Sequence, residues 1–209
     1  MTAVVDHVVL ATSEVDFTAA ELEQATGVAT EIGGHHVGLG TWNRLVSFDD
    51  GRYLEIIGPD PTQPTPASPR PFGIDTIRST SSARVATMCV RPVSLEVAID
   101  AAARVGITYG APQATSRQSP AGLLTWRLSF PSDDGGGAIP FLIDWGDTPH
   151  PSQTVTGGLR LERLQICHPD NRSITDLFEA IGLDVDVANG DAGCRATFAG
   201  PAGEFTPGG

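Results

Sequence analysis

The chain is short of basic residues, of cysteine and of long apolar runs, and each shortage closes off a class of function. Thirteen Lys and Arg stand against 25 Asp and Glu, a formal net charge of −12 with a pI near 4.6. Nucleic acid and anionic membrane surfaces both call for a basic face, so neither is an expected partner. The three cysteines, Cys89, Cys167 and Cys194, are odd in number and far apart. That fits neither a disulfide framework nor a Cys-type zinc site, and leaves them as small core hydrophobes. No apolar run nears the roughly 20 residues a bilayer needs, and the opening MTAVVDHVVL has no basic stretch of a secretory signal, so the expected location is cytoplasmic. What is present suits a globular protein: 209 residues, 40% apolar and 18% charged, enough to bury a substantial core.

Periodicity then gives the organisation. Thr2 to Thr12 is an apolar strand interrupted by Asp6 and His7. SEVDFTAAELEQATG reads as a helix with Phe17, Ala20, Leu22 and Ala25 on one stripe and Gly27 as its stop. A strand from Val28 to Ile32 leads into a stretch rich in signals, 33–60. There, alternation from Thr41 to Phe48 sets Thr41, Asn43, Leu45 and Ser47 on one face and Trp42, Arg44, Val46 and Phe48 on the other. Asp49-Asp50-Gly51 is a hairpin turn, and the return strand opposes Tyr53, Glu55 and Ile57 to Leu54 and Ile56. The following 59–83 is dense in Pro, Ser and Thr and reads as an irregular linker or flap, with Phe72 an apolar plug at the mouth of any site.

The pattern restarts with a strand from Arg84 to Arg91, a helix from Ser94 to Val105 ended by Gly106, a strand from Leu123 to Phe130 and the apolar strand AIPFLIDWGDTP, which carries Asp144 as YLEIIGPDP carries Glu55. A third round has LRLERLQICHPD, a helix from Arg172 to Ile181 ended by Gly182, and short strands around 195–198 and 204–206. The helix-ending glycines at 27, 106 and 182 lie 79 and 76 residues apart, a period that means a duplicated structural unit. The expected architecture is α+β: repeated βαβββ units at 1–60 and 84–151 joined by the Pro-rich 61–83, two units paired into an open cup-shaped sheet, plus a shorter third βα-ββ unit at 159–209.

A carboxylate inside a half-buried strand costs several kcal/mol unless paired or coordinated, so Glu55 and Asp144 ask for a reason. A site of His, Glu and Asp would suit a first-row divalent ion, and a spare carboxylate could move protons. Pairing of Glu55 with Arg127 or Arg44 would satisfy it without chemistry, and Asp144 could simply cap the turn before Gly146. By parity Thr125, Arg127 and Ser129 oppose Leu124, Trp126, Leu128 and Phe130, which points Arg127 away from the helices. It would then bind an anionic substrate group, or form an ion pair with Glu55 or Asp144. His35 and His150 lie in turns and are expected to be solvated, and His168 to end a strand. GxGT at Gly38 to Thr41 leads into a strand, so no phosphate-binding loop and no nucleotide or organic cofactor is indicated.

Strand-helix-strand-strand-strand units with a histidine on the first strand and an acid on the last resemble the vicinal oxygen chelate superfamily. The strings HHVGLGTWNRLVSF, RYLEIIGPDP and FLIDWGDTPHPS resemble its glyoxalase-like domain proteins. The resemblance implies two units whose curled sheets form a cup, often around one divalent metal. The matching positions are His7 and Glu55 in the first unit and Thr87 and Asp144 in the second. Thr87 departs from the pattern, and His36 could replace the missing ligand, giving His7, His36, Glu55 and Asp144 as the expected metal set. Glu55, Arg127 and Asn43 are the expected catalytic residues, with Thr41, Asn43, Thr125 and Arg127 on the cup floor and Trp42, Trp126 and Trp145 in the core on the opposite side. The implied function is a divalent-metal-dependent lyase, isomerase or dioxygenase acting on a small oxygenated anionic substrate. The alternative is a metal-free protein that binds or sequesters a small molecule in the same cup. A small-molecule ligand is the expected partner, and a homodimer the expected assembly if there is one.

Overall fold

The computed structural model describes residues 2–78, 83–119 and 122–208, with backbone only at 117–119 and 122–123. The first unit runs β1 (Val4–Ala11), α1 (Val15–Thr26), β2 (Glu31–His36), β3 (Thr41–Ser47) and β4 (Tyr53–Pro59). After the proline-rich strap, with its short 3-10 turn at Pro71–Thr76, the second runs β5 (Arg84–Arg91), α2 (Leu95–Arg104), β6 (Gln113–Ser119), β7 (Gly122–Ser129) and β8 (Phe141–Asp144). The third round is β9 (Arg160–His168), α3 (Asn171–Ile181), β10 (Val187–Asn189), β11 (Gly193–Gly200) and β12 (Gly203–Phe205).

The first two units share one eight-stranded sheet in the order β2-β3-β4-β1-β5-β8-β7-β6. Their first strands pair antiparallel, with Val8 opposite Met88, His7 opposite Cys89 and Val9 opposite Thr87. A pseudo-twofold axis therefore passes between Val8 and Met88 and relates the units. The sheet curls so far that its outer strands β2 and β6 come close to one another, so the cup is more nearly closed than the open one expected. β6, QATSRQS, was not expected as a strand: it is polar along its length and shows no apolar alternation.

One face of the sheet carries α1 and α2. Helix α1 ends at Gly27, whose φ of +74° is a left-handed conformation that glycine adopts without a Cβ penalty. Its buried stripe is Val15, Thr18, Ala19, Leu22 and Thr26, whereas Phe17 is 45% exposed. The phase expected from Phe17, Ala20 and Ala25 is thus shifted, because two threonines pass as core residues. Thr18 bonds the Thr12 hydroxyl at 2.8 Å, and the Thr26 hydroxyl donates to the Leu22 carbonyl at 2.7 Å.

The third round repeats the order of elements but not the pairing. β1 lies next to the last strand of its unit, β4, whereas β9 lies between β10 and β11 in a separate sheet, β10-β9-β11-β12. That sheet covers the helix-bearing face. α3 lies against α2, β11 and β12 against α1, and β11 also against β5. Ile166, Leu177, Phe178 and Phe198 join Val8, Leu54 and Met88 in one core, and the rings of Phe48 and Phe198 stack at 5.9 Å. Burying a side chain such as Phe198 contributes roughly 1.5–3 kcal/mol, so the third round seals a face that α1 and α2 alone leave uncovered.

Candidate active site

The opposite face of the sheet lines a cavity of about 520 Å³. Its first-unit wall carries a polar arc, because alternation in β3 and β4 turns Asn43, Leu45, Tyr53 and Glu55 inward and leaves Arg44 to bond Thr30 and Asp16 on the helix side. Glu55 is 8% exposed and accepts from Asn43 Nδ2 at 2.6 Å. Its Oε2 lies 3.6 Å from His7 Nε2. His36 completes the arc, with Nε2 3.5 Å from Asn43 Nδ2 and Nδ1 3.0 Å from the Thr41 hydroxyl. Of the expected metal and catalytic residues, His7, His36, Asn43 and Glu55 line this one cavity, and Arg127 and Asp144 do not.

Behind His7 stands Asp6, fully buried. The ladder between β1 and β5 slips between Val5 and His7, a β-bulge that leaves Asp6 without a partner residue and re-aims its side chain. Asp6 Oδ1 lies 2.8 Å from His7 Nδ1, and Oδ2 accepts from Trp145 Nε1 at 3.2 Å and lies 3.0 Å from His150 Nε2. Arg91 Nε is 3.6 Å away. Burial by itself would push the Asp6 carboxyl up, but hydrogen bonds with His150 and His7, and their charge, hold it well below the usual carboxylate range. His150 is 7% exposed, not solvated as its turn context suggested, and its ring meets Tyr53 and Trp145 edge-on at 5.5 Å. Neither Asp6 nor His150 was picked out from sequence. The one available signal was the adjacent polar pair Asp6-His7 inside an apolar strand, which breaks alternation as a bulge does.

The second-unit wall is different. Trp126 and Leu128 of β7, Phe130 just after it, and Phe141, Ile143 and Trp145 at β8 turn into the cavity. The tryptophan expectation is corrected for Trp126 and Trp145, whose rings meet at 5.3 Å on the cup side, while Trp42 packs in the helix-side core. The expected orientation of Arg127 is reversed for the same reason. Arg127 reaches Asp144 Oδ2 at 2.5 Å from NH2 and Glu96 Oε1 at 2.6 Å from NH1, and Glu96 lies in the first turn of α2. Arg127 and Asp144 therefore stand on the helix face, 43% and 37% exposed in their side chains. The Arg127 hydrogen bond, and then the Gly146 amide, hold the Asp144 carboxyl low, so this acid is paired and caps its turn.

Register explains the shift. Glu55 lies opposite Val9 and Phe141 opposite Cys89, and Val9 and Cys89 are equivalent across the pseudo-twofold. Phe141 thus takes the place of Glu55, as Thr87 takes that of His7. Asp144 is an odd number of residues from Phe141, and one step along a strand changes faces.

The proline-rich strap crosses the mouth. Phe72 lines both this cavity and a neighbouring one of about 510 Å³ bounded by Thr87, Asp133 and Asp134, and its ring is 5.5 Å from Phe141. Arg70 Nε donates to the Gly40 carbonyl at 2.8 Å, and Arg84 to the Phe72 carbonyl at 2.8 Å. Gly40 is required where the strap lies down, since a Cβ there would come within 2.7 Å of Pro66.

A divalent ion fits this donor set poorly. Only one unit offers ligands, the related positions of the other being a hydroxyl and a phenyl ring. Among the described residues the one close group of three donors is Asp6, His7 and Cys89, not His7, Glu55 and His36. In that group Asp6 is already taken by His150 and Trp145. Cys89 is a fully buried thiol pushed well up by burial, then by Asp6 and Glu55.

Two βαβββ units joined through their first strands, with a histidine and a glutamate facing the shared hollow, define a protein of the vicinal oxygen chelate superfamily. A family model described as a glyoxalase-like domain matches residues 5–182. The chain belongs to that family. Among solved structures it is similar to a hypothetical protein from Staphylococcus aureus, at 12% identity and TM-score 0.57 over 99% of this chain and 85% of that one. Methylmalonyl-CoA epimerase from Streptomyces coelicolor, in complex with 2-nitronate-propionyl-CoA, aligns at 13% identity and TM-score 0.46 over 70% of this chain and 97% of that one. The epimerase from Mycobacterium tuberculosis aligns at 13% and 0.44 over 66% and 84%. At such identities fold alone is shared. No curated protein matches the chain significantly in sequence. No helix among the described residues is long and apolar enough to cross a membrane.

Proposed function

We propose that the cup binds a small, ring-bearing molecule with an oxygenated group at one end, and that His7 and Glu55 transfer a proton there without a metal ion. The observation that carries this reading is the asymmetry of the lining. One polar arc, His36, Asn43, Glu55 and His7, with Tyr53 stacked on His7, faces a wall of Phe72, Trp126, Phe130, Phe141 and Trp145. A volume of about 520 Å³ is in the range of small-molecule sites, which combine apolar walls with a few convergent polar groups. Aromatic walls favour a planar ring. With Arg127 on the other face, the described lining has no guanidinium for a substrate anion, so the ligand is uncharged except where it meets the arc. His7 Nε2 and Glu55 Oε2 lie 3.6 Å apart, so that one of them can give a proton to a carbonyl oxygen of the ligand while the other takes one from the carbon α to that carbonyl, leaving the enol. Asn43 holds Glu55 in line.

The experiment uses protein dialysed against a chelator. Aryl ketones with a hydrogen on the carbon α to the carbonyl are screened by thermal shift, and a hit is incubated with the protein in D2O while NMR follows deuterium uptake at that α-carbon. Uptake faster than in buffer is expected. Binding without uptake would leave a sequestration protein, and uptake only after a divalent ion is restored would overturn the metal-free reading.

A further inference from the structure

We propose that Asp6 is the positioning residue of this site, fixing His7 in the tautomer with its proton on Nδ1 so that the Nε2 lone pair faces Glu55 and the cup. The inference rests on the proton-transfer reading above and adds the element that organises it.

Asp6 has no place in the regular ladder: it is the extra residue of a bulge, and a buried carboxylate there would be costly without donors. The fold supplies them from distant parts of the chain. His150, brought in by the segment after β8, has its Nδ1 2.8 Å from the Ser152 hydroxyl and 3.3 Å from the Ser152 backbone N–H. A carboxylate cannot donate, so the Nε2 that faces Asp6 at 3.0 Å carries a proton and donates it. Trp145 can only donate, through Nε1 at 3.2 Å. With both donors on Oδ2, the other oxygen, Oδ1, is left to accept from His7 Nδ1 at 2.8 Å. A carboxylate cannot donate, so His7 must carry its proton on that side. Its ring is also held by stacking on Tyr53 at 4.5 Å. A buried carboxylate that fixes the tautomer of an imidazole base is an arrangement with large catalytic leverage. Here it stands where an ion would otherwise orient the ligands.

The test reads the His7 ring directly by NMR on protein labelled with ¹⁵N histidine, and needs no ligand. In the wild type, Nδ1 of His7 is expected to be protonated and Nε2 unprotonated. In Asp6→Asn the side-chain amide can offer its N–H to Nδ1, and the ring proton is expected to move to Nε2. His150→Gln, which removes only the outer support, is expected to leave the proton on Nδ1. An unprotonated Nδ1 in the wild type, or a folded Asp6→Asn with an unchanged pattern, overturns the proposal. If Asp6→Asn does not fold, the wild-type spectrum decides alone. Stoichiometric Zn²⁺ binding that is lost in Cys89→Ser would also overturn it, by making Asp6, His7 and Cys89 a metal site. Where a ligand is in hand, Asp6→Asn should slow deuterium uptake about 10²–10⁴-fold with Kd unchanged. A correct tautomer without any uptake would count against the proton-transfer reading and leave the positioning of His7 intact.

Discussion

The two halves of the cup share a backbone plan and almost none of its chemistry. On the first unit, two hydrogen-bonded pairs, Asp6 with His7 and Asn43 with Glu55, stand side by side, His7 and Glu55 being 3.6 Å apart. On the second, Phe141, Ile143 and Trp145 face the cavity and Thr87 borders the neighbouring one, and the second unit's acid faces out. Duplication gives two copies of a scaffold, and an offset of three residues in β8, an odd number, decides whether an acid reaches the hollow or the helix layer. The lesson is that equivalence of units is a statement about backbone; equivalence of sites must be established strand face by strand face.

The sharpest way to break this comparison is to remove one acid from each half. Glu55→Gln is expected to slow proton transfer to the ligand by roughly 10²–10⁴-fold, while Asp144→Asn leaves it unchanged. Equal losses in the deuterium-uptake assay would show that the second unit is not chemically silent. A second test restores the missing symmetry. Phe141→Glu alone should cost several kcal/mol by burying an unpaired carboxylate, read as a lower melting temperature. Combined with Thr87→His it should gain a rise in Tm with Mn²⁺ or Zn²⁺ that the wild type does not show. Failure of the ion to stabilise the double variant would mean that the two halves differ in more than their ligands.

A smaller effect concerns Asp60, which supports the arc from the far end of β4. Burial would raise its carboxyl, but bonds from Gln63 at 2.6 Å, the Thr62 hydroxyl at 2.7 Å and His35 at 2.7 Å hold it well below the usual range. A depressed folded-state value stabilises the protein above the unfolded carboxylate pKa of about 4, and this stabilisation is lost as pH falls towards the folded value. Urea melts should therefore show Asp60→Asn less stable than wild type at pH 7, with the gap narrowing below about pH 4. A gap that does not change with pH would remove the charge from the explanation. Least of all should follow from Arg127→Ala: its partners are exposed, and exposed ion pairs contribute little. Ligand affinity should not move, and a large loss of affinity would return Arg127 to the cup.

Much of the first unit was legible from sequence. Alternation in TWNRLVSF and YLEII assigned faces correctly to Asn43, Leu45, Tyr53 and Glu55, because those strands are regular and paired on both sides. The second unit misled for physical reasons. In LLTWRLSF the large side chains were taken to face the helices, yet this cup is itself aromatic, so size does not tell one buried face from the other. Asp144 was matched to Glu55 by its setting between apolar residues and a glycine, a setting that does not record an offset of three residues. Asp6 lay beyond pattern reading, since a bulge suspends the period on which such reading depends. His150 is buried only because a turn brings it against residues more than 90 positions earlier, which no local signal records.

The curling of the large sheet also bears on how the chain meets other chains. A strand at the margin of a sheet offers unpaired N–H and C=O groups on which a foreign strand can build. Here the two margins, β2 and β6, are turned towards each other, so each screens the other. The small sheet ends in β10 and β12, both three residues long, too short to template an added strand well. Association of copies by strand addition is thereby discouraged at every margin of both sheets, and a dimer of this protein would be built from side-chain surfaces instead.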